Sequence, residues 1–350
     1  MHGGSTSMTQ RPAGRPVPEW RDFDGRQLRE EVFPRYEPAV LRGAVRDWPA
    51  VRAALAGPAS LSRYLAAFDN GTPVDAILMR PEARGRISYD DAMDGFNFAR
   101  NRLPVTAILE QLSRYARFED PPAVAVQSAL IADCLPGFAS ENRLAFFDPD
   151  VAPRIWIGNR VTVPAHFDES ENVACVIAGR RRFTLFPPEQ VANLYVGPID
   201  FAPTGAAMSL APFVDPDFAR FPKSRDALAA ALVAELDPGD AIFIPTLWWH
   251  HVESLDRTLN VLVNYWWQGA LGAVDRTGSG MDCLLHGLLD VKPMPPALRR
   301  AWAGLFEHYV FGATEESLAH IPPRRRGVLA ALSSDAAREL RDLLVARLQR

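Results

Sequence analysis

The feature that most constrains the fold is a set of three potential metal ligands divided between two distant segments. The segment 163–168 contains His166 and Asp168, and the segment 245–251 supplies His250. Residues i and i+2 of a strand project from the same face, so His166 and Asp168 are predicted to reach one ion from a strand. Because His250 comes much later in the chain, only a folded barrel or sandwich would bring it to the same ion.

This ligand set favours one kind of metal chemistry. Two histidines and one carboxylate leave coordination positions open, as in the non-haem Fe(II) oxygenases. The alternative is a surface turn, because a lone His-x-Asp often occurs by chance. The motifs around the three residues, including Trp248 to His251, favour the metal site. We therefore predict that His166, Asp168 and His250 bind one ion.

Length, charge and hydropathy exclude several other classes. The 350 residues suffice for one large domain with additions or for two domains. The formal net charge of −4 offers no overall attraction to nucleic acid or to an anionic membrane. No apolar run approaches the roughly 18 residues that cross a bilayer, and residues 1–16 contain no hydrophobic signal core. Neither nucleic acid nor a membrane is expected as a partner.

The cysteines indicate a compartment. Cys134, Cys175 and Cys283 are isolated in sequence and odd in number. They fit neither a disulfide framework nor a Cys-x-x-Cys zinc site. We interpret them as buried thiols of a protein in a reducing cytoplasm, where Fe(II) chemistry is feasible.

Changes in pattern along the chain predict four regions. They are a disordered leader at 1–18, a helical and strand region at 19–120, a β core at 121–270 and a C-terminal helical region at 271–350. Strands are predicted for the short apolar runs Ala123 to Ser128, Arg154 to Gly158, Asn172 to Ala178, Arg182 to Phe186, Ala241 to Ile244 and Leu259 to Trp266. Helices are predicted at Leu61 to Phe68 and Val105 to Tyr115. The fold class is therefore mainly β with flanking α elements, built on a sandwich or barrel rather than on βαβ units.

The last region contains two amphipathic helices. One begins at Pro296, ends at Gly312 and carries Leu298, Trp302, Leu305, Phe306 and Tyr309 on one face. The other begins near Ser333 or Ser334, and its stripe is Leu340, Leu343, Leu344 and Leu348. These helices either pack on the β core or form the interface of a homodimer, and the sequence leaves both alternatives open.

Two long motifs resemble a known family. They are His166-Phe167-Asp168-Glu169 through Asn172 with Gly179 to Pro188, and Pro238-Gly239-Asp240 through Trp266. Both resemble the JmjC/cupin-like family of Fe(II)- and 2-oxoglutarate-dependent oxygenases, in the branch that includes factor inhibiting HIF and bacterial cupin-like proteins. The resemblance extends from about Pro38 to Gln268. It implies a double-stranded β-helix, a jelly-roll that holds iron between two sheets.

The resemblance also assigns individual residues. His166, Asp168 and His250 match the family's iron ligands, and His251 is then a structural or supporting residue. Asn172 and Asn264 match polar residues of the family's cosubstrate pocket. The alternative for both asparagines is that they satisfy backbone groups inside the barrel.

The cosubstrate anchor departs from the family pattern. The branch binds the far carboxylate of 2-oxoglutarate with a lysine, a tyrosine and a threonine, and Arg181, Val124 and Val163 stand at those positions. An arginine fork suits a carboxylate, although it needs a reshaped pocket. The pocket would then depend on Arg181, with Gln127, Ser128 or Thr184 compensating for the lost hydroxyl groups. A solvated hairpin position is the alternative for Arg181.

The implied activity is hydroxylation by Fe(II) and 2-oxoglutarate, with succinate and CO2 as products. The substrate is an unidentified protein side chain or small molecule, and demethylation would use the same chemistry. The segments 89–102 and 194–222 are candidate substrate loops, because Gly, Pro and aromatic residues concentrate there. The competing hypothesis is a metal-binding cupin-like protein that does not use 2-oxoglutarate, motivated by Val124 and Val163.

Overall fold

The computed structural model describes residues 14–144, 146–147, 150–268 and 280–349. Contacts divide the chain into two compact units, residues 1–271 and 272–350. The strands of the described residues are β1 (Arg15–Pro16), β2 (Glu19–Trp20), β3 (Ala39–Leu41), β4 (Val74–Met79), β5 (Phe98–Leu103), β6 (Ala123–Val126), β7 (Ala129–Leu130), β8 (Pro153–Gly158), β9 (Thr162–His166), β10 (Glu171–Ala178), β11 (Arg181–Phe186), β12 (Leu232–Leu236), β13 (Ala241–Ile244), β14 (Trp249–Ser254) and β15 (Asn260–Trp267).

Helices lie mainly at the two ends of the chain. They are α1 (Gly25–Gln27), α2 (Pro49–Leu55), α3 (Pro58–Ala66), α4 (Val105–Tyr115), α5 (Ile131–Cys134), α6 (Phe138–Glu141), α7 (Ser224–Ala230), α8 (Gly280–Asp290), α9 (Pro296–Phe306) and α10 (Ser334–Leu348). Short 3-10 or π turns occupy Leu28–Val32, Phe33–Arg35, Pro81–Ala83, Pro188–Asn193, Glu307–Phe311, Pro323–Arg325 and Gly327–Leu329. None of the described helices is long and apolar enough to cross a membrane.

Two mixed sheets form the first unit. The smaller has the strand order β1-β12-β11-β14-β9, and the larger has the order β2-β3-β13-β10-β15-β8-β6-β4-β5 with β7 beside β8. Apolar side chains of both sheets share one buried cluster, which includes Val176 of β10, Phe183 of β11 and Leu262 of β15. The sheets therefore face each other across a common core, and the prediction of a mainly β jelly-roll with flanking helices is confirmed.

Strand β10 shows why these residues form a central strand. All eight of its residues are buried. Val173, Cys175 and Ile177 pack with the helices on the outer face of the larger sheet, whereas Ala174 and Val176 face the other sheet. Alternate side chains of a strand point to opposite faces, so a run that is apolar at every position suits a strand covered on both sides.

A glycine closes the turn between β10 and β11. Gly179 has a φ of +72°, and a Cβ at this position would lie 2.1 Å from the Asn260 side-chain oxygen. Both the backbone conformation and the lack of space require glycine. This turn fixes the point at which Arg181 enters β11.

The N-terminal end of the described chain differs from the prediction. A disordered leader was predicted over residues 1–18, but Arg15–Pro16 runs parallel to β12 and Val17 is buried. That prediction is wrong for residues 14–18, because pairing with a distant strand orders them. Residues 1–13 lie outside the described residues.

The second unit contains the two amphipathic helices at the predicted positions. Helix α9 begins at Pro296, and Ser333 caps α10 by accepting a hydrogen bond from the Ala336 N–H. The predicted α9 face, Leu298, Trp302, Leu305, Phe306 and Tyr309, is exposed. The homodimer through these helices stays a prediction. Cys134 and Cys175 are buried as expected, but Cys283 is exposed, so the prediction of a buried thiol is wrong there.

Candidate metal centre

The three predicted ligands come together in the smaller sheet. His166 is the last residue of β9, and its backbone pairs with that of His250 on the neighbouring β14. Asp168 lies two residues beyond the end of β9 rather than within the strand. One ligand atom from each of the three residues lies within 4.8 Å of the others. The predicted placement of Asp168 in the strand is therefore wrong, while the predicted cluster is present.

Backbone carbonyl groups orient both imidazole rings. The Nδ1 of His166 lies 2.9 Å from the Pro164 oxygen, and the Nδ1 of His250 lies 3.0 Å from the Trp248 oxygen. A proton held at Nδ1 by these contacts leaves the Nε2 lone pair of each ring free for a metal ion. The His250 Nε2 lies 3.6 Å from the Asp168 Oδ2.

Burial keeps His250 in the form that binds metals. Its pKa is lowered to about 4, mainly because burial disfavours the charged ring and also because His166 lies beside it. Neutral imidazole is the metal-ligating form, so His250 needs to lose no proton at neutral pH.

Two buried asparagines support the carboxylate ligand. Asn172 donates to the Asp168 Oδ2 at 3.3 Å, and Asn264 donates to the Asn172 side-chain oxygen at 2.8 Å. Asn172 and Asn264 are 3% and 4% exposed, so this chain is shielded from water. Asn172 on β10 thus holds the Asp168 carboxylate in place, and Asn264 on β15 holds Asn172.

A cavity of about 420 Å³ adjoins the three ligands. It is lined by Asp75, Arg100, Gln127, Ser128, Arg154, Trp156, Val163, His166, Asp168, Asn172, Ala174, Arg181, Phe183, Thr204, Ala206, Ile244, His250, Val252, Leu262, Asn264 and Trp266. The predicted residues Arg181, Asn172, Asn264 and Gln127 thus share one cavity with the metal ligands. We call it the metal cavity.

Arg181 is a buried cation without an ion-pair partner among the described residues. The residue is 8% exposed, and its Nε has no hydrogen-bond partner. Within the described chain, no carboxylate forms an ion pair with it, in contrast to Arg180 and Arg182 on either side. Burial lowers its pKa to about 10, so the guanidinium remains charged at neutral pH. A buried charge of this kind is costly unless an anion binds to it.

Neutral donors accompany Arg181. Ser128 Oγ, Trp156 Nε1 and Trp266 Nε1 are buried in the lining of the metal cavity and have no hydrogen-bond partner. The sequence predicted both tryptophans only as parts of strands. Nothing local marks an indole N–H as unpartnered, since that depends on which residues surround it in the fold.

The two valines at the family's anchor positions lie in different places. Val163 lines the metal cavity. Val124 packs in the main core on the outer side of the larger sheet, while its neighbours Ala123 and Ala125 pack with Val161 and Val163. Thr184, a suggested replacement donor, is buried but is not among the described residues of the lining.

The two candidate substrate loops meet at the metal cavity. Arg100, on β5, donates to the Pro203 oxygen at 2.7 Å, and the Tyr89 hydroxyl donates to the Phe201 oxygen at 2.7 Å. Arg100 and Thr204 both line the cavity. A substrate that entered beside these residues would contact both segments.

A jelly-roll with two histidines and one carboxylate beside an internal cavity defines a class of metal-dependent β-barrel proteins. Comparison with known families agrees. Residues 26–271 match the model of the cupin-like domain, and the chain belongs to that family. The resemblance to the JmjC/cupin-like oxygenases is confirmed.

Three curated relatives illustrate the family. Human HSPB1-associated protein 1 is 38% identical over 114 residues, which cover 32% of this chain and 22% of that protein. The Arabidopsis thaliana lysine-specific demethylase JMJ31 is 36% identical over 104 residues, 29% of this chain and 18% of that protein. The human bifunctional peptidase and (3S)-lysyl hydroxylase JMJD7 is 27% identical over 271 residues, 68% of this chain and 79% of that protein. The chain therefore spans about a fifth of the first two relatives, between 18% and 22% of their length.

Proposed function

We propose that this protein is an Fe(II)- and 2-oxoglutarate-dependent hydroxylase. The observation that carries the proposal is one cavity with two complementary ends. At one end, His166, Asp168 and His250 offer ligand atoms to a metal ion. At the other, Arg181 offers a buried charge that the described carboxylates leave unneutralised. A keto acid with a distant carboxylate carries one group suited to each end.

The metal end fits Fe(II). A neutral imidazole pair and one carboxylate form the facial ligand set that leaves open positions on a six-coordinate ion. His166 and His250 would bind through Nε2, because Nδ1 of each ring faces a backbone carbonyl. When bound, Fe(II) and 2-oxoglutarate supply oxidative decarboxylation, with succinate and CO2 as products, and oxidation of a substrate C–H bond.

The anchor end fits the far carboxylate. Arg181 would bind it through two parallel hydrogen bonds, which an arginine fork forms readily. Ser128 Oγ and Trp156 Nε1 would donate the neutral hydrogen bonds that the family obtains from a tyrosine and a threonine. Each of these donors is buried without a hydrogen-bond partner, which costs free energy. A bound anion would supply the missing acceptor and remove that cost.

Apolar residues of the lining would keep water away from the reacting atoms. Val163, Phe183, Ile244, Val252 and Leu262 lie between or beside the two ends. A dry cavity strengthens the pairing of Arg181 with a carboxylate, because the local dielectric is low. It also protects reactive species from side reactions with water.

The proposed substrate is a side chain of a protein or a small molecule. The names of two relatives describe a lysyl hydroxylase and a lysine-specific demethylase. Both are reactions at a C–H bond of a substrate held near the metal. Hydroxylation is the outcome we propose for this chain.

The test is 2-oxoglutarate turnover. Purified protein with Fe(II), oxygen and 2-oxoglutarate should release succinate even without its substrate, and Asp168→Ala should abolish the release. The matched control is Asp47→Ala, which removes an exposed carboxylate outside the lining of the metal cavity. Metal binding without any succinate release, under all substrate mixtures tried, would favour a cupin-like protein that does not use 2-oxoglutarate.

A further inference from the structure

A second cavity lies on the other face of the strand that carries His250. Side chains alternate along β14, and His250 and Val252 line the metal cavity. His251 and Glu253, on the opposite face, line a cavity of about 610 Å³. This back cavity is bounded by the segments 81–86, 120–123, 159–162 and 212–215 together with the end of β14.

One polar side chain in the back cavity is buried without a hydrogen-bond partner. His251 is 3% exposed, and neither of its ring nitrogens has a hydrogen-bond partner. Buried polar groups in folded proteins are nearly always hydrogen-bonded, so two unpartnered ring nitrogens in one cavity indicate a bound group.

The interior of the back cavity has a cation without a counter-ion. Arg86 is half-buried, and its Nη2 donates to the Leu210 oxygen at 3.1 Å. The ion pairs found among the described residues of this region, between Arg182, His251 and Glu253, do not include Arg86, and burial lowers the pKa of its guanidinium. The Glu253 Oε1 lies 3.9 Å from the His251 Nε2 and 3.9 Å from the Arg182 Nε, so a cation other than Arg86 also lies beside this carboxylate.

The back cavity has a charged rim and an apolar inner wall. Three exposed arginines face two exposed aspartates at the rim, namely Arg84, Arg160, Arg257, Asp120 and Asp215. The inner wall is apolar, with Ala123, Val214 and Phe213, whose ring lies edge-on to His251 at 5.7 Å between centroids. An anion is favoured over a cation in the interior, and an apolar body is favoured over a polar one.

We propose that the back cavity binds a small organic monoanion, namely a carboxylate on a compact apolar body. Arg86 and one N–H of His251 would take the carboxylate, and Phe213 would contact the apolar body. This site lies beyond the proposed hydroxylase activity, and strands β9 and β14 line both cavities.

The probe for this site is hexanoate, measured by saturation-transfer NMR on the metal-loaded protein under anaerobic conditions with saturating 2-oxoglutarate, which occupies the proposed anion site at Arg181. Because Arg181 also offers a charge, the two sites are separated by matched variants, Arg86→Gln and Arg181→Gln. We expect hexanoate to bind in the millimolar range or tighter. Arg86→Gln should lower the affinity for hexanoate about tenfold or more, because one charged hydrogen-bonding group is lost. Arg181→Gln should leave the affinity for hexanoate unchanged.

Two further measurements test the same site. His251→Phe, which keeps a ring but removes the N–H, should weaken hexanoate binding severalfold while the thermal melt stays intact, which covers the case in which Arg86→Gln fails to fold. Hexan-1-ol, which has the same body without the charge, should give no comparable signal. No hexanoate signal in the wild type, equal binding of hexan-1-ol, or loss of the signal in Arg181→Gln alone would each overturn the proposal.

Discussion

The two ends of the metal cavity are built on opposite principles. At the metal end, hydrogen bonds hold every ligand: Nδ1 of each histidine contacts a backbone oxygen, and Asn172 donates to Asp168. At the anchor end, Arg181 Nε and Trp156 Nε1 are buried without partners. The protein therefore preorganises the metal ligands but leaves its anion donors to be satisfied by a ligand.

This difference separates two kinds of substitution. Changes at the metal end should alter metal affinity, because the geometry there is fixed by the protein. Changes at the anchor end should alter cosubstrate affinity and leave the metal in place. Four predictions test that separation, from the largest expected effect to the smallest.

The largest effect is expected from removal of a metal ligand. His166→Ala should lower Fe(II) affinity by roughly 100-fold or more, beyond the range seen when a supporting residue is lost. Equilibrium dialysis with metal analysis would measure it. The matched control is His308→Ala, which removes an exposed histidine of the second unit and should bind metal as the wild type does.

The next effect concerns the anchor. Arg181→Gln should raise the Kd for 2-oxoglutarate about 10- to 100-fold, as expected for loss of a charged hydrogen bond worth about 1.5–3 kcal/mol. The Fe(II) affinity should stay within about threefold of the wild type, since Arg181 is not a ligand.

Arg180→Gln is the matched control for this change. Arg180 is an exposed neighbour that pairs with Asp256 at 3.2 Å. If Arg180→Gln lowered the affinity for 2-oxoglutarate and Arg181→Gln did not, the anchor would have been assigned to the wrong arginine.

A smaller effect should follow from loss of support for Asp168. Asn172→Ala should lower Fe(II) affinity about tenfold, because residues that orient metal ligands typically contribute 10- to 100-fold. Asn264→Ala, one hydrogen bond further from Asp168, should lower it less. The reverse order, measured by the same dialysis, would contradict the proposed chain of support.

The smallest effect tests the indole donor. Trp156→Phe keeps an aromatic ring but removes the N–H, and it should raise the Kd for 2-oxoglutarate about fivefold, the value of one neutral hydrogen bond near 1 kcal/mol. Calorimetric titration under anaerobic conditions measures this change. An unaltered Kd, with the fold intact, would exclude Trp156 from the anchor.

Local patterns were sufficient to predict much of the fold. Apolar runs bounded by Gly and Pro predicted β6, β8, β10, β11, β13 and β15 closely, and the predicted helix Val105 to Tyr115 coincides with α4. The metal ligands were also predicted, because residue type and spacing carry that information. These features depend on periodicity or on motifs, which are local in sequence.

The errors and omissions arose where tertiary contacts decide. Residues 14–18 are ordered by pairing with β12, a distant strand that was itself not identified. Asp168 lies after β9 because that strand ends at His166, which alternation alone does not reveal. The unpartnered state of Trp156 Nε1 depends on every residue that surrounds it, and a single sequence contains no direct signal of that.

The central claim is that one cavity holds Fe(II) and 2-oxoglutarate together. The most direct test is an anaerobic titration of the apoprotein with Fe(II) and then with 2-oxoglutarate, followed in the visible spectrum. The account predicts a saturable charge-transfer band of the chelated keto acid that is absent in His166→Ala. Stoichiometric Fe(II) binding without any such band would contradict it.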